Sequence, residues 1–360
     1  MYPSLHILGS RQFGGADQFY VRLLGALHEA GQPVVAVNRS GSPVAEALKA
    51  SAIEQVHLPL ANQWDLWSAW RIRELAARRQ PCIVQTYMGR ATRLTRLPAK
   101  TKAVHIARLG GFYKIDGYYR HAHAWVGNTQ GICDYLVKSG LPSEQVFHIG
   151  NFVPEPAVFS SQQLEALRDE HDIPGDALVL FALGRLIGKK GFDDLLNAFA
   201  ELPAEANGRP LILLIAGDGP SADPLKTLSE RLKLASRVRW LGWQRPDPFY
   251  AMADLFVCPS RHEPLGNVIL EAWNYRLPVV STATDGALEL IEEGKTGLLA
   301  PCGDPSGLAA QIRTALALSD AERNALGEAG HTLLQSRYSQ GTIVGAYLEL
   351  YQRLMAERGD

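Results

Sequence analysis

The sequence has few cysteines and no long apolar run, and both absences exclude classes of protein. Its four cysteines lie far apart and form no Cys-x-x-Cys pair, which argues against a disulfide framework and favours a reducing cytoplasm. No group of histidine, cysteine and aspartate has metal-ligand spacing, so we expect no metal site. No apolar run approaches the ~18 residues of a membrane span, and the N-terminus lacks the features of a signal peptide.

The 360 residues carry a net charge of only −1, but the charge is unevenly placed. Residues 1–150 hold 17 Lys and Arg against 9 Asp and Glu, a net of +8, which leaves a net of −9 for residues 151–360. Most of the excess lies in the basic segment, residues 71–120, with 12 basic and 2 acidic residues. The asymmetry indicates an anionic partner for the first half. A solvated basic surface without a partner is the alternative.

Apolar strands alternate with amphipathic helices in two series, which predicts an α/β protein with two parallel sheets. The first series has strands at 5–8, 34–37, 82–85, 104–107, 124–126 and 146–149, with a helix at 16–30. The second has strands at 178–183, 211–216, 238–241, 255–258 and 278–281. A proline-bearing segment, 150–156, separates them and predicts a linker. We therefore predict domains at 1–153 and 154–337, followed by a helix at 338–360.

Two glutamates, Glu263 and Glu271, stand eight residues apart across a predicted strand-to-helix turn. A helix from Gly266 onward would place them roughly 12 Å apart, at ~1.5 Å per residue. Carboxylates accept hydrogen bonds from the hydroxyls of a sugar ring or ribose, and a helix N-terminus favours an anion. The pattern indicates a ligand with two hydroxylated ends and a diphosphate between them. Two ordinary helix glutamates are the alternative.

A glycine-rich loop, residues 184–191, places Arg185 and Lys190 at the end of a predicted strand. Open parallel sheets bind ligands at that edge. Arginine forks onto phosphate oxygens and lysine adds a point charge, so the pair would stabilise a departing diphosphate without a metal. The loop is not a P-loop, because GxxxxGK[ST] is absent. A solvated basic loop is the alternative.

These two motifs together resemble the retaining glycosyltransferase family 4, whose GT-B fold has two Rossmann-like domains facing across a cleft. Further segments of the second half agree in order and spacing with that family; they are 216–220, 238–242, 253–260 and the pair Gly286 and Glu289. In the first half the resemblance rests mainly on Gly14 and Gly15. Residues 263–273 are similar to bacterial transferases of the lipopolysaccharide core and envelope polysaccharides. The fold implies that the C-terminal helix packs back on the first domain.

The resemblance implies a role for each matching residue. Arg185 and Lys190 would hold the donor diphosphate, Glu263 would bind the donor sugar, and Glu271 would bind the ribose. Arg108 lies nearest the place of a family histidine and is the fourth predicted catalytic residue. The other predicted donor-binding residues are Gly14, Gly15, Gly184, Gly217, Trp243, Leu265, Gly266 and Asn267. One departure is Asp285, where the family usually has glycine.

The resemblance predicts a retaining hexosyltransferase that uses a UDP- or GDP-linked sugar and needs no cofactor or metal. Its acceptor would be a saccharide or glycolipid, anionic in keeping with the basic segment, and nucleic acid is not expected. The protein would be cytoplasmic, with its first domain in contact with the inner membrane. Three alternatives remain: a sugar-nucleotide epimerase of similar fold, a non-catalytic nucleotide-sugar-binding protein, and an NAD-dependent dehydrogenase. The dehydrogenase lacks its GxGxxG fingerprint here.

Three tryptophans, Trp64, Trp67 and Trp70, recur at a spacing of three residues beside the basic segment. The spacing favours a helix face in the core or between domains. A stripe that faces the membrane or the acceptor is the alternative.

Overall fold

A computed structural model describes residues 1–359 as two compact units. The first unit comprises Met1–Pro154 and the segment from Tyr338 onward, and the second comprises Glu155–Arg337. The chain therefore passes from the first unit to the second inside the proline-bearing segment 150–156. Among residues 1–359, no helix combines the length and apolarity needed to cross a bilayer.

The first unit is built on a seven-stranded parallel sheet in the order β3-β2-β1-β4-β5-β6-β7. Its strands are β1 (Ser4–Leu8), β2 (Val34–Asn38), β3 (Glu54–His57), β4 (Ile83–Tyr87), β5 (Val104–Leu109), β6 (Ala124–Gly127) and β7 (Val146–His148). Its first helices are α1 (Gly15–Glu29), α2 (Pro43–Ala47), α3 (Leu66–Arg78), α4 (Met88–Leu94) and α5 (Gln130–Lys138). Every residue of β1, β2, β4 and β5 is buried, as expected for the central strands of a parallel sheet, and this includes polar side chains such as His6, Gln85 and His105.

The second unit has a parallel sheet in the order β11-β10-β8-β12-β13-β14, with the short β9 antiparallel to β10. Its strands are β8 (Leu178–Leu183), β9 (Glu205–Ala206), β10 (Arg209–Ala216), β11 (Val238–Gly242), β12 (Leu255–Cys258), β13 (Val279–Thr282) and β14 (Leu298–Ala300). Its helices are α6 (Ser161–Glu170), α7 (Phe192–Ala200), α8 (Ala222–Arg231), α9 (Asp247–Met252), α10 (Asn267–Asn274), α11 (Asp285–Leu290), α12 (Pro305–Ala317) and α13 (Asp320–Arg337). Two parallel sheets with helices confirm the predicted α/β class.

The last helix, α14 (Gln340–Gly359), packs on the sheet of the first unit. Its buried residues Tyr347, Leu350, Tyr351 and Leu354 join one core cluster with residues of α1 and of the central strands. The hydroxyl of Tyr351 donates to Gln85 Oε1 on β4 at 2.7 Å. The cluster on the opposite face of the sheet is covered by residues of α3 and α4.

The interpretation of the three tryptophans as a core face is wrong. Trp64, Trp67 and Trp70 are exposed by 67, 53 and 56%. The buried residues of α3 are instead Ser68, Ile72, Leu75 and Ala76, on the other side of the helix.

Candidate active site

The glycine-rich loop packs directly against the end of β12. Gly191 has φ +65, and a Cβ there would lie 2.0 Å from the carbonyl oxygen of Pro259. Only glycine permits this contact, because any side chain would collide with the backbone. The contact brings Lys190 against Glu263, and their side chains form an ion pair in which each is less than one-fifth exposed.

Arg261, which follows β12, also forms hydrogen bonds to the glycine-rich loop and to the start of α7. Its guanidinium donates to the carbonyl oxygen of Gly188 at 2.9 Å and to the carboxylates of Asp193 and Asp194 at 2.7 and 2.6 Å. These hydrogen bonds to Asp193 and Asp194 raise the pKa of Arg261 above its ordinary value. Sequence reasoning missed this residue, although a lone arginine two positions before Glu263 was a signal that could have found it.

Arg185 stands in a turn that is held by a second close glycine contact. Gly217 has φ +135, and a Cβ there would lie 1.9 Å from the carbonyl oxygen of Gly184. The amide of Leu186 also donates to the carbonyl oxygen of Asp218 at 2.9 Å. The Arg185 side chain is exposed, and within the described part of the chain it makes no side-chain hydrogen bond or ion pair. A fixed backbone thus carries a guanidinium that is available to an anion.

The start of α10 is shaped by two further glycines. Gly266, the residue before the helix, has φ +86, which favours glycine. Gly286 donates its amide to the carbonyl oxygen of Glu263 at 3.0 Å, and a Cβ there would lie 2.3 Å from the carbonyl oxygen of Leu265. Leu265 is buried, while Asn267 begins the helix. The first turn of a helix leaves N–H groups without helical acceptors, and these favour an anion.

Glu271 lies one turn along α10 and is oriented by a buried tyrosine. The hydroxyl of Tyr250 lies 3.3 Å from Glu271 Oε2. Burial, and then the charge of Glu271, raise the pKa of Tyr250 well above its ordinary value, so the phenol stays protonated and donates. Tyr275 stacks on Tyr250 at 5.6 Å between ring centres. Trp243 follows β11 and is 79% exposed.

In the first unit, the predicted residues lie at the carboxyl ends of β1 and β5. Gly14 and Gly15 are exposed at the start of α1, and the Gly14 amide donates to Asp17 Oδ2 at 2.9 Å. Arg108 is buried: its Nε donates to the hydroxyl of Tyr347 at 3.2 Å, and a terminal nitrogen donates to Asn151 Oδ1. The guanidinium carbon of Arg108 also lies 4.2 Å from the centre of the Phe19 ring.

The second unit thus gathers most of the predicted residues at the carboxyl edge of its sheet. After β8 come Gly184, Arg185 and Lys190, after β10 comes Gly217, and after β12 come Glu263 and the turn into α10 with Glu271. The edge offers two cations, two carboxylates and a helix N-terminus. Within residues 1–359, no three His, Cys, Asp or Glu side chains are grouped so that they could hold a metal ion.

Comparison with known proteins gives matches along most of the chain. Residues 163–332 match the family model described as glycosyl transferases group 1. The chain is similar to two Rhizobium meliloti proteins named as lipopolysaccharide core biosynthesis glycosyltransferases, LpsE and LpsD. LpsE is 34% identical over 94% of this chain and 95% of its own length. LpsD is 33% identical over 96 and 97%.

The fold is also that of solved structures with little sequence similarity. The Anabaena protein HepE, crystallised in complex with UDP and glucose, superposes with a TM-score of 0.84 at 20% identity. The match covers 98% of this chain and all of that one.

Proposed function

The chain belongs to the group 1 family of glycosyl transferases, and from that premise we propose that it moves a hexose from a nucleotide sugar to a saccharide or glycolipid acceptor with retention of configuration. The predicted enzyme class is confirmed, whereas membership of the retaining family 4 stays a prediction. The observation that carries the proposal is the Lys190–Glu263 pair beside the unpaired Arg185 at the edge of the second sheet.

The cations of this edge suit the donor diphosphate. Arg185 would form paired hydrogen bonds with phosphate oxygens, and Lys190 would turn from Glu263 toward the phosphate when the donor enters. The first turn of α10, Leu265 to Asn267, would supply backbone N–H groups. Gly184 and Gly217 would hold the backbone of the loop in place, as their close contact indicates.

The two carboxylates suit the hydroxylated ends of the donor. Glu263 would accept hydrogen bonds from sugar hydroxyls near the anomeric carbon, and Glu271, held by Tyr250, would accept those of the ribose. Trp243 would lie against the base. Arg108, Gly14 and Gly15 remain predicted site residues of the first unit.

The transfer needs no protein nucleophile in this proposal. The bond between the anomeric carbon and the diphosphate breaks, a bond from that carbon to the acceptor oxygen forms on the same face, and the acceptor proton passes to the departing phosphate. Arg185 and Lys190 would stabilise the negative charge that grows on the diphosphate, which is the main contribution expected of the protein. No metal ion or other cofactor is required.

The acceptor proposed here is the growing core of a lipopolysaccharide or another envelope polysaccharide. The support is that both Rhizobium relatives are named for lipopolysaccharide core biosynthesis and match over nearly their full length. The net charge of +8 on residues 1–150 suits an anionic, membrane-held acceptor. We accordingly place the enzyme in the cytoplasm, at the inner face of the membrane.

A melting-temperature screen against UDP- and GDP-sugars tests the donor, because a ligand that binds only the folded protein raises its stability. The protein is then incubated with the stabilising donor and with truncated lipopolysaccharide as acceptor, in the presence of EDTA. We expect sugar transfer that survives chelation. Conversion of the donor without acceptor would indicate an epimerase instead. Donor binding without transfer or conversion would indicate a binding protein, and restoration by Mg²⁺ after chelation would refute the metal-free mechanism.

A further inference from the structure

Four large apolar side chains are exposed together on the first unit. They are Trp64, Leu66, Trp67 and Trp70, with exposed fractions of 67, 81, 53 and 56%. All four lie in α3 or in the turn just before it. We call them the tryptophan surface. Scattered exposed apolar residues are ordinary, but a contiguous set of this size marks an interaction site.

Basic side chains surround the tryptophan surface and hold it in place. The guanidinium carbon of Arg93 lies 4.2 Å from the ring centre of Trp64 and 5.3 Å from that of Tyr118. Arg71 approaches the Trp70 ring at 5.7 Å. Cations over aromatic faces attract them and restrain the rings. The aromatic side chains are therefore held outward on a positive surface.

Arg73 and Arg96 extend the positive charge beyond the rings. Arg73 Nε donates to the carbonyl oxygen of Arg96 at 2.7 Å, which links the two residues. Within residues 1–359, neither guanidinium forms an ion pair, whereas Glu74 is engaged by Arg71 and Arg78. Along α3, Leu66, Trp70 and Arg73 follow one another at intervals of four and three residues, so they share one outward face.

We propose that the tryptophan surface and its arginines dock the first unit on an anionic lipid bilayer. Tryptophan rings settle at the level of the lipid headgroups, where one edge is apolar and the other polar. Arginines beside them are attracted to acidic lipids within about a Debye length of ~8 Å. This inference rests on the proposed function, because a membrane-held acceptor gives the docking its use.

The test is co-sedimentation of the full chain with vesicles of phosphatidylcholine alone and with phosphatidylglycerol added. We expect binding to the anionic vesicles that weakens with salt, and little binding to the neutral ones. In the W67S/W70S variant we expect the partition coefficient to fall about tenfold, because binding scales with buried apolar area. The V158S/L288S variant, which alters residues of the second unit exposed by 94 and 59%, is the matched control and should bind like the wild type.

A second variant, R73E/R96E, separates charge from apolar contact. We expect it to lose binding at low salt and to lose the salt dependence as well. Circular dichroism melts of each variant exclude unfolding as the cause. Brominated lipids should quench the tryptophan fluorescence of the wild type and of V158S/L288S, and they should quench that of W67S/W70S much less.

Two outcomes would overturn the docking proposal. One is the absence of vesicle binding by the wild type, or binding that neither variant reduces. The other is a wild-type dimer in analytical ultracentrifugation that W67S/W70S dissociates, which would assign the surface to a second copy of the chain. Vesicle binding needs no acceptor, so it is scored separately from sugar transfer. A protein that transfers sugar without binding vesicles keeps the proposed function and loses only the docking site.

Discussion

Lys190 is engaged by Glu263 and is proposed to bind the donor diphosphate. Replacing it with alanine should lower turnover by about 30- to 900-fold, since one charge-assisted contact to developing charge is worth ~2–4 kcal/mol. The adjacent Lys189→Ala is the matched control, because Lys189 is exposed and outside the proposed site. Steady-state kinetics with the donor found in the screen measures both. Equal turnover in the two variants would remove Lys190 from the mechanism.

Glu263 gives a prediction of opposite sign for binding and for catalysis. In Glu263→Gln, Lys190 loses its ion pair and its charge is left for phosphate. We expect the nucleoside diphosphate alone to bind about two- to fivefold more tightly, because an ion pair of this kind contributes ~0.5–1 kcal/mol that binding no longer has to overcome. Turnover should fall, because the amide accepts fewer hydrogen bonds from the sugar. Isothermal titration measures the affinity, with Glu271→Gln as the control that should weaken it.

The positions of these residues at strand ends could be predicted at this scale, but their contacts could not. Glu263, Lys190 and Arg185 follow strand ends, and parallel strands bring their carboxyl ends to one edge. Nothing local joins Lys190 to Glu263, which lie 73 positions apart. Arg108 shows the same limit, since its partner Tyr347 comes from a helix 239 positions away.

The loops that carry the proposed site residues are held by close contacts of glycines with neighbouring backbone, so a side chain at these glycines should disturb the site. Gly217→Ala would place a methyl group 1.9 Å from the carbonyl oxygen of Gly184 at φ +135. We expect a fall in the melting temperature and weaker donor binding, because the loop of Arg185 must move. Gly303→Ala is the control: it has φ +71 but nothing within 4 Å of the new Cβ. This control should lower the free energy of unfolding by only ~1 kcal/mol, the energy of placing a non-glycine residue in the left-handed conformation, and should leave donor affinity unchanged. Equal losses of affinity would contradict the steric argument.

The longer elements were predictable because their apolar patterns are strong. The strands at 178–183 and 255–258 have the observed bounds, and the helix predicted at 16–30 is α1, Gly15–Glu29. The edge strand β3, Glu54–His57, was not predicted, because it lies partly exposed and carries polar residues. Likewise, α3 has the helical spacing expected around its tryptophans, but spacing alone does not tell which face turns to solvent.

At the scale of the whole molecule, a buried histidine ties stability to pH. Burial lowers the pKa of His6, on β1, to about 3 from its ordinary 6.5. Between these values the unfolded chain binds a proton that the folded chain does not, so the free energy of unfolding rises with pH across this window. The slope from this one group approaches ~1.4 kcal/mol per pH unit. The stability that the neutral, buried His6 retains is fully present above pH 6.5 and is lost progressively as the pH falls from 6.5 toward 3.

Urea denaturation at pH 5.0, 6.0 and 7.5 tests this linkage through the difference between variants. His6→Gln removes the titrating group, so its stability should fall less on acidification than that of the wild type. His28→Gln alters an exposed histidine of α1 and should keep the wild-type slope. Parallel slopes for all three proteins would show that His6 does not govern the acid response. Other titrating groups cancel in this comparison.

The return of the chain to the first unit at Tyr338 has a consequence for the order of synthesis. The second unit is one continuous stretch of about 180 residues, which a ribosome adding 5–20 residues per second makes in about 10–40 s. Throughout that interval the strands of the first sheet have already been synthesised, but α14, which covers part of one of its faces, has not. The second unit is complete while Arg108 and Gln85 of the first sheet still lack their partners Tyr347 and Tyr351. During synthesis the second unit is therefore completed before the first. A chaperone that binds the nascent chain would find its apolar surface on the uncovered face of the first sheet.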